Sequence, residues 1–371
     1  MTAHPADHAA PSRLPYRLAT VLVCAVFPLI WVGGLVTSSD AGMAVPDWPN
    51  TYGYNLFLYP WETWILGPWD IFVEHGHRLL GALIGMLTIG FAVAVHYLDA
   101  RPWMRRLAYL AVPFVILQGV LGGLRVVLDK QTLAMLHGCV GPLFFAYCVS
   151  LQHFVAPRES SARGNSPGST ADPVASATLS KLSRLAIVTT LLAYLQLVLG
   201  AVVRHAPHMT AAVTPSFFRV AVLFHLFMAA VLTVHIVQLS HRSYAAAAKF
   251  GEADLLRPAS WLMDAIVVQL LLGASTWVVN YGFPQWAASW SIVPEYVVRT
   301  QSVAQLGITT AHVAVGSFIL AVSTLLSLRV RAASLGRAAT TNAKSTVGHA
   351  AAIGKPTALL FGVGLVRGGA L

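Results

Sequence analysis

Four histidines in this 371-residue sequence recur at one place in a repeating pattern. His77, His137, His225 and His312 each lie near the start of a long apolar segment, on alternate segments along the chain. Four residues after each comes a small residue: Gly81, Gly141, Ala229 and Gly316. On a helix, residues i and i+4 share a face. A small residue below an imidazole leaves a flat slot beside the ring, and a porphyrin needs such a slot when the imidazole ligates its iron axially. Two such histidines on facing helices supply bis-histidine haem ligation. An internal duplication of the chain would pair His77 with His137 and His225 with His312. Zinc fits less well, because nothing resembles a third ligand beside either pair.

Glu74 lies three residues before His77 in Glu-His-Gly-His-Arg. If the helix extends back one turn, the two side chains share a face. The carboxylate then sits ~4.5 Å from His77 along the axis, over the porphyrin edge. Ionisable groups at this depth are costly and usually functional. The helix dipole accounts for an acidic residue near an N-terminus, but not for its alignment with a ligand. The corresponding positions before the other three histidines hold Ala134, Val222 and Thr309. Only one site carries a carboxylate, so one haem supports chemistry while the other transfers electrons or stabilises the fold. Arg78, Arg125 and Arg204 fall at the outer ends of apolar segments, where guanidinium groups suit haem propionates. Interfacial snorkelling is the plainer alternative for them. Of the other histidines, His96 and His153 fall at headgroup depth, His235 reads as a packing residue, and His75, His205 and His208 read as solvated.

These residues need elements to position them, and the composition says what kind. Hydrophobic residues make up 56% and charged residues 10%, against roughly 25% charged in a soluble domain. The mean hydropathy is +0.67. A soluble globular enzyme is excluded, as is a disordered chain. Eight segments can span a bilayer, near 16–36, 77–97, 106–127, 132–154, 182–203, 217–240, 259–279 and 302–327, each close to the ~20 residues required. The fold class expected is an all-α polytopic membrane protein, with eight transmembrane helices as two pseudo-symmetric four-helix bundles. The first segment is too long for a signal-peptide core and reads as a retained helix. The formal net charge is +10, but it speaks for membrane topology rather than nucleic acid. Most of the 24 basic residues fall on one side, around Arg13, Arg101, Arg158, Arg242 and Arg329. The positive-inside rule makes that side, with both termini, cytoplasmic. Cys24, Cys139 and Cys148 all lie in apolar segments and form no metal or disulfide framework.

Between the spans, residues 38–73 form an aromatic, acidic outer loop suited to lying on the membrane surface, and 280–301 form a second. Residues 156–180 read as a cytoplasmic linker. The expected organisation is an N-terminal half (1–155) with the haem site beside Glu74, the linker, a C-terminal half (181–328) with the second haem site, and a basic disordered tail (329–371). A Gln-x-x-Leu-Gly core recurs at Gln118–Gly122, Gln196–Gly200 and Gln269–Gly273, which supports the duplication.

The stretches GGLVTSSDAGMAVPDWPNTYG (33–53), EHGHRLLGALIG (74–85), LQGVLGGLRVVL (117–128), LHGCVGPLFF (136–145) and TAHVAVG (310–316) resemble the haem A synthase family over roughly residues 16–327. The resemblance implies eight helices in two halves and oxidation of the C8 methyl of haem O to the formyl group of haem A, for cytochrome oxidase. It implies that His77 and His137 flank the substrate haem, that Glu74 is the essential carboxylate, and that His225 and His312 ligate a cofactor haem b. Haem O is then the small-molecule partner, within the lipid bilayer of the cell membrane. Haem O synthase, cytochrome oxidase assembly factors and an unidentified electron acceptor are the further partners it suggests. Some members carry a cysteine pair in the first outer loop. Residues 38–73 contain no cysteine, so no thiol–disulfide step there belongs to this chain. The alternative that the residues leave open is a di-haem cytochrome b that only transfers electrons.

Overall fold

The computed structural model describes residues 12–157, 173–205, 215–288 and 296–353. The helices are α1 (Leu14–Ser38), α2 (Trp61–Ile65), α3 (Trp69–Leu98), α4 (Pro102–Val127), α5 (Gln131–Val155), α6 (Pro173–His205), α7 (Pro215–Phe250), α8 (Leu256–Tyr281), α9 (Gln285–Ala288) and α10 (Val303–Ile353). Eight of them, all but α2 and α9, are long and apolar enough to cross a membrane. Prolines start several of these helices: one stands in the first turn of α1 and of α4, and Pro68 immediately precedes α3. A fixed φ and a missing N–H cost nothing at these positions. Gly251 and Gly282, at φ 73° and 79°, end α7 and α8 in the left-handed conformation that glycine adopts freely.

Helices α1, α3, α4 and α5 pack as one bundle and α6, α7, α8 and α10 as another, with α1 and α5 of the first lying against α10 of the second. The tightly packed apolar core is confined to the end where α1 begins. There Phe91, Met104 and Leu151 interlock in the first half, and Leu179, Ile236, Leu262 and Leu326 in the second. Leu22, Phe144, Phe145 and Ala321 join the two halves. Large apolar side chains face outward as well, among them Val220, Leu223 and Leu271. That arrangement suits lipid, which solvates apolar side chains while each helix satisfies its own backbone. The opposite end of the bundles is hollow.

Several boundaries differ from those expected. Helix α3 starts at Trp69 rather than near 77, so His77 lies two turns inside it. Helix α6 takes in 173–180 of the expected linker, and 158–172 lie outside the described residues. The tail expected to be disordered from 329 instead continues α10 to 353. The reason is packing: Val330 is fully buried, Arg329 donates to the Asp254 carbonyl at 2.6 Å and Arg337 pairs with Glu252 at 2.9 Å.

The halves meet closely at the hollow end. A methyl group at Gly34 of α1 would lie 2.9 Å from the Thr310 methyl of α10. One residue turn on, the Ser38 and Thr310 hydroxyls are 3.2 Å apart. Small residues at such crossings allow backbones to approach. Gly34→Leu should therefore overpack this contact and destabilise the protein by about 1–3 kcal/mol, measurable as a lower thermal midpoint in detergent; an unchanged midpoint would exclude a close contact here.

Candidate functional site

The hollow end encloses one continuous cavity of about 1970 Å³, walled by both bundles. That is about twice the upper range of ordinary ligand pockets and leaves room for two large planar groups. All four histidines of the repeat line it, with Glu74 on its wall.

The cavity sets the histidines in two pairs. His77 and His137 have ring centroids 6.2 Å apart, and His225 and His312 6.4 Å. Imidazole nitrogens ligate a metal at about 2 Å, which puts the centres of two trans ligands roughly 6 Å apart. Each ring is seated against a glycine on the preceding membrane helix. A methyl at Gly33, Gly122, Gly200 or Gly273 would fall 2.9–3.1 Å from Cε1 of His77, His137, His225 or His312 respectively. In all four, Cε1 is nearest, Nδ1 next and Nε2 farthest. The same edge, Cε1 with a ring nitrogen on either side, thus faces a glycine four times over. His77 and His312 each have a buried Nδ1 with no hydrogen-bond partner. Paired imidazoles at this separation, in a cavity of this size, fit haem iron in donor set and spacing.

The seating glycines were not singled out from the sequence as site residues. Their signal was the Gln-x-x-Leu-Gly core, whose glycine is the seat in three of the four cases. The flat slot expected from Gly141 and Gly316 is occupied instead: Gln118 and Gln269 of the neighbouring helices lie over them, with Nε2 3.1 and 3.3 Å from the position of an added Cβ. Gly81 faces open space.

Glu74 is 1% exposed and on the same helix face as His77. Its Oε2 accepts the Val45 N–H at 2.8 Å and its Oε1 pairs with Arg78 at 3.0 Å. Arg78 also donates to the carbonyls of Val45, Asp47 and Asn50 at 2.7, 2.6 and 2.9 Å. Its guanidinium is thereby committed to the loop rather than open to a propionate. Arg204 donates to the Gly34 carbonyl at 3.0 Å and the Ser38 hydroxyl at 2.7 Å. Arg125 lines the cavity, its guanidinium against the backbone of Gly42. Two histidines expected to be solvated are buried. His75 is 2% exposed, its Nδ1 3.0 Å from the Thr51 hydroxyl and its ring against Tyr59 and Trp64. His205 is buried at the end of α6. His208 lies outside the described residues. His235 bonds to the Val231 carbonyl of its own helix at 2.8 Å.

The loop between α1 and α3 closes the first histidine pair from outside. Trp48 lies flat on α4, where a methyl at Gly123 would come within 2.2 Å of its indole. Asp47 holds the turn by accepting the N–H groups of Tyr52 and Gly53, both at 2.8 Å. Partial burial works against the ionised Asp47 carboxylate, but these N–H groups and the Arg78 charge outweigh it and hold its pKa below the ordinary 3.8. A depressed carboxyl pKa stabilises the folded loop fully above the ordinary value, and that stability is lost as pH falls through the depressed one. The protection factors of the Tyr52 and Gly53 amides should accordingly fall on acidification below about pH 4. Asp47→Asn should show that lower protection already at neutral pH; full protection in the variant would mean that the carboxylate does not hold the turn.

Residues 69–290 match the profile of the COX15-CtaA family, described as cytochrome oxidase assembly protein. The heme A synthase of Symbiobacterium thermophilum is 31% identical over 262 residues, covering 66% of this chain and 79% of that protein. The heme A synthase of Shouchella clausii is 33% identical over 138 residues, 36% of this chain and 44% of that protein. The matched region runs from α3 to α9 and holds three of the four paired histidines, and the chain belongs to the cytochrome oxidase assembly protein family.

Proposed function

We infer that this chain is a haem A synthase, a multi-pass membrane oxidoreductase that converts the C8 methyl of haem O to the formyl group of haem A for cytochrome oxidase. The observation that carries this reading is the asymmetry of the cavity. It holds two histidine pairs at ligating separation, and among the described residues Glu74 is the carboxylate one turn from a paired histidine.

In this reading His77 and His137 hold the substrate haem, and His225 and His312 hold a resident haem b, which supplies one-electron redox capacity when bound. Arg125, with its guanidinium in the cavity wall, takes a propionate. Arg204, between the halves, lies where it serves either haem. Arg78 acts through the loop: it orients Glu74 and closes the site to bulk water.

Oxidation of a methyl to a formyl group takes up one water, which supplies the new oxygen, and releases four protons and four electrons, which pass to an external electron acceptor. Electron withdrawal leaves positive charge at the methyl carbon. Glu74, one turn from His77, stabilises that charge or takes a proton from the attacking water. It pairs with Arg78 at 3.0 Å, and low dielectric strengthens its effect. The membrane is the cell membrane, with both termini cytoplasmic and the loops around 39–68 and 282–302 on the outer side, in keeping with the distribution of basic residues.

Glu74→Gln preserves shape and removes the charge. It should retain haem O and lower its conversion to haem A by roughly 10²-fold or more, read by extracting and identifying the haems. Asp47→Asn, which loosens the same loop but spares the carboxylate, should convert far more than Glu74→Gln. Equal conversion by Glu74→Gln and the unmodified protein would exclude an anionic role. His225→Ala should remove haem b while leaving the first site occupied; a protein that binds two haems and never forms haem A would be an electron-transfer cytochrome. Single cysteines placed at position 57 and position 331 should label from opposite sides, with position 57 outside; the reverse would invert the topology.

A further inference from the structure

Three of the four seating glycines have a glutamine four residues earlier, one turn along the same helix: Gln118 before Gly122, Gln196 before Gly200 and Gln269 before Gly273. The fourth, Gly33, has Leu29. The glutamines reach across to the helix that carries the histidine. Gln118 Nε2 donates to the His137 carbonyl at 3.4 Å, while His137 Nδ1 bonds back to the Gln118 carbonyl at 3.1 Å. Gln196 Nε2 donates to the His225 carbonyl at 3.0 Å and lies 3.1 Å from His225 Nδ1 and 3.3 Å from its Nε2. Gln269 lies over Gly316, one turn past His312. All three amides are buried with Oε1 unpartnered, a cost that a leucine avoids. Leu29 lines the same cavity in the same register and has no amide to donate. His312 shares with His77 an unpartnered Nδ1, but Gln269 still spans to its helix.

We propose that Gln118, Gln196 and Gln269, each with its glycine, are positioning residues that hold His137, His225 and His312 as fixed ligands, and that Leu29 leaves His77 as the exchangeable ligand through which the substrate haem is loaded and the product released. The inference rests on the haem A synthase reading, which assigns a haem to each pair. A resident group needs two fixed ligands, and the second half has a glutamine at both. A substrate that leaves each cycle needs one bond that breaks readily, and only the first half has a histidine with no glutamine amide one turn before its seat. Outer partners of this kind orient a ligating imidazole and strengthen its hold on the metal.

Carbon monoxide tests this in the reduced, purified protein, because it reaches a bis-histidine haem only after one imidazole leaves. It should bind a single haem, the one that remains in His225→Ala. Leu29→Gln, close in volume, should slow that binding about five- to tenfold and raise the haem A retained per protein after turnover, with the low-spin spectrum intact. Gln118→Leu should speed it. Binding at the haem lost in His225→Ala, binding at neither haem, or a rate unchanged in Leu29→Gln would overturn the inference while leaving the synthase reading in place. Protein that carries no haem at the first pair, or never yields haem A, would instead overturn the reading on which the inference rests.

Discussion

The site depends on the contact between an imidazole edge and a helix backbone, repeated four times. A histidine ring can lie that close only where the facing residue has no Cβ, because a methyl at any of the four seats would come within about 3 Å of the ring. Gly33, Gly122, Gly200 and Gly273 thereby fix the distance between helices and the direction of each ring together. The two centroid separations follow, and they differ by only 0.2 Å between halves that share little sequence. Glycine in a helix interior costs roughly 1 kcal/mol against alanine. In the bilayer, neighbouring helices and the absence of competing water reduce that penalty.

The unequal filling of the bundles is a consequence of holding a cavity of this size. One end of each bundle is packed with interlocking side chains, and the other is hollow. Packing density that the hollow end gives up is recovered at the packed end and along the α1–α10 contact, where Gly34, Ser38, Thr310 and Arg204 tie the halves together. Among the described residues, both histidine pairs open into the same cavity.

The halves share a frame and differ in charge. In the first, Glu74 and Arg78 join α3 to the loop that bears Trp48, so one ion pair serves both closure and the proposed chemistry. In the second, Asn280 donates to Thr309 at 3.3 Å and accepts from Gln305 at 3.0 Å, one turn from His312, and Arg204 supplies the nearby charge. A buried carboxylate paired with an arginine and a backbone N–H suits a site where positive charge develops.

The sequence alone determined the membrane class, the eight spans, the identity of the four histidines and the singular position of Glu74. Those features are one-dimensional: hydropathy over about 20 residues, charge between spans, and a repeat at fixed spacing. It also placed Gln118, Gln196 and Gln269 in a recurring motif without revealing what the motif does. Only the tertiary structure decided which face of each ring is seated, that Arg78 is committed to the loop, that His75 and His205 are buried, and that α10 runs on past the bilayer. Each of these depends on a partner distant in the chain, such as Asp47 for Arg78, Thr51 for His75 or Glu252 for Arg337. Spacing along one helix says which residues share a face, but what that face meets is settled only when another helix packs against it.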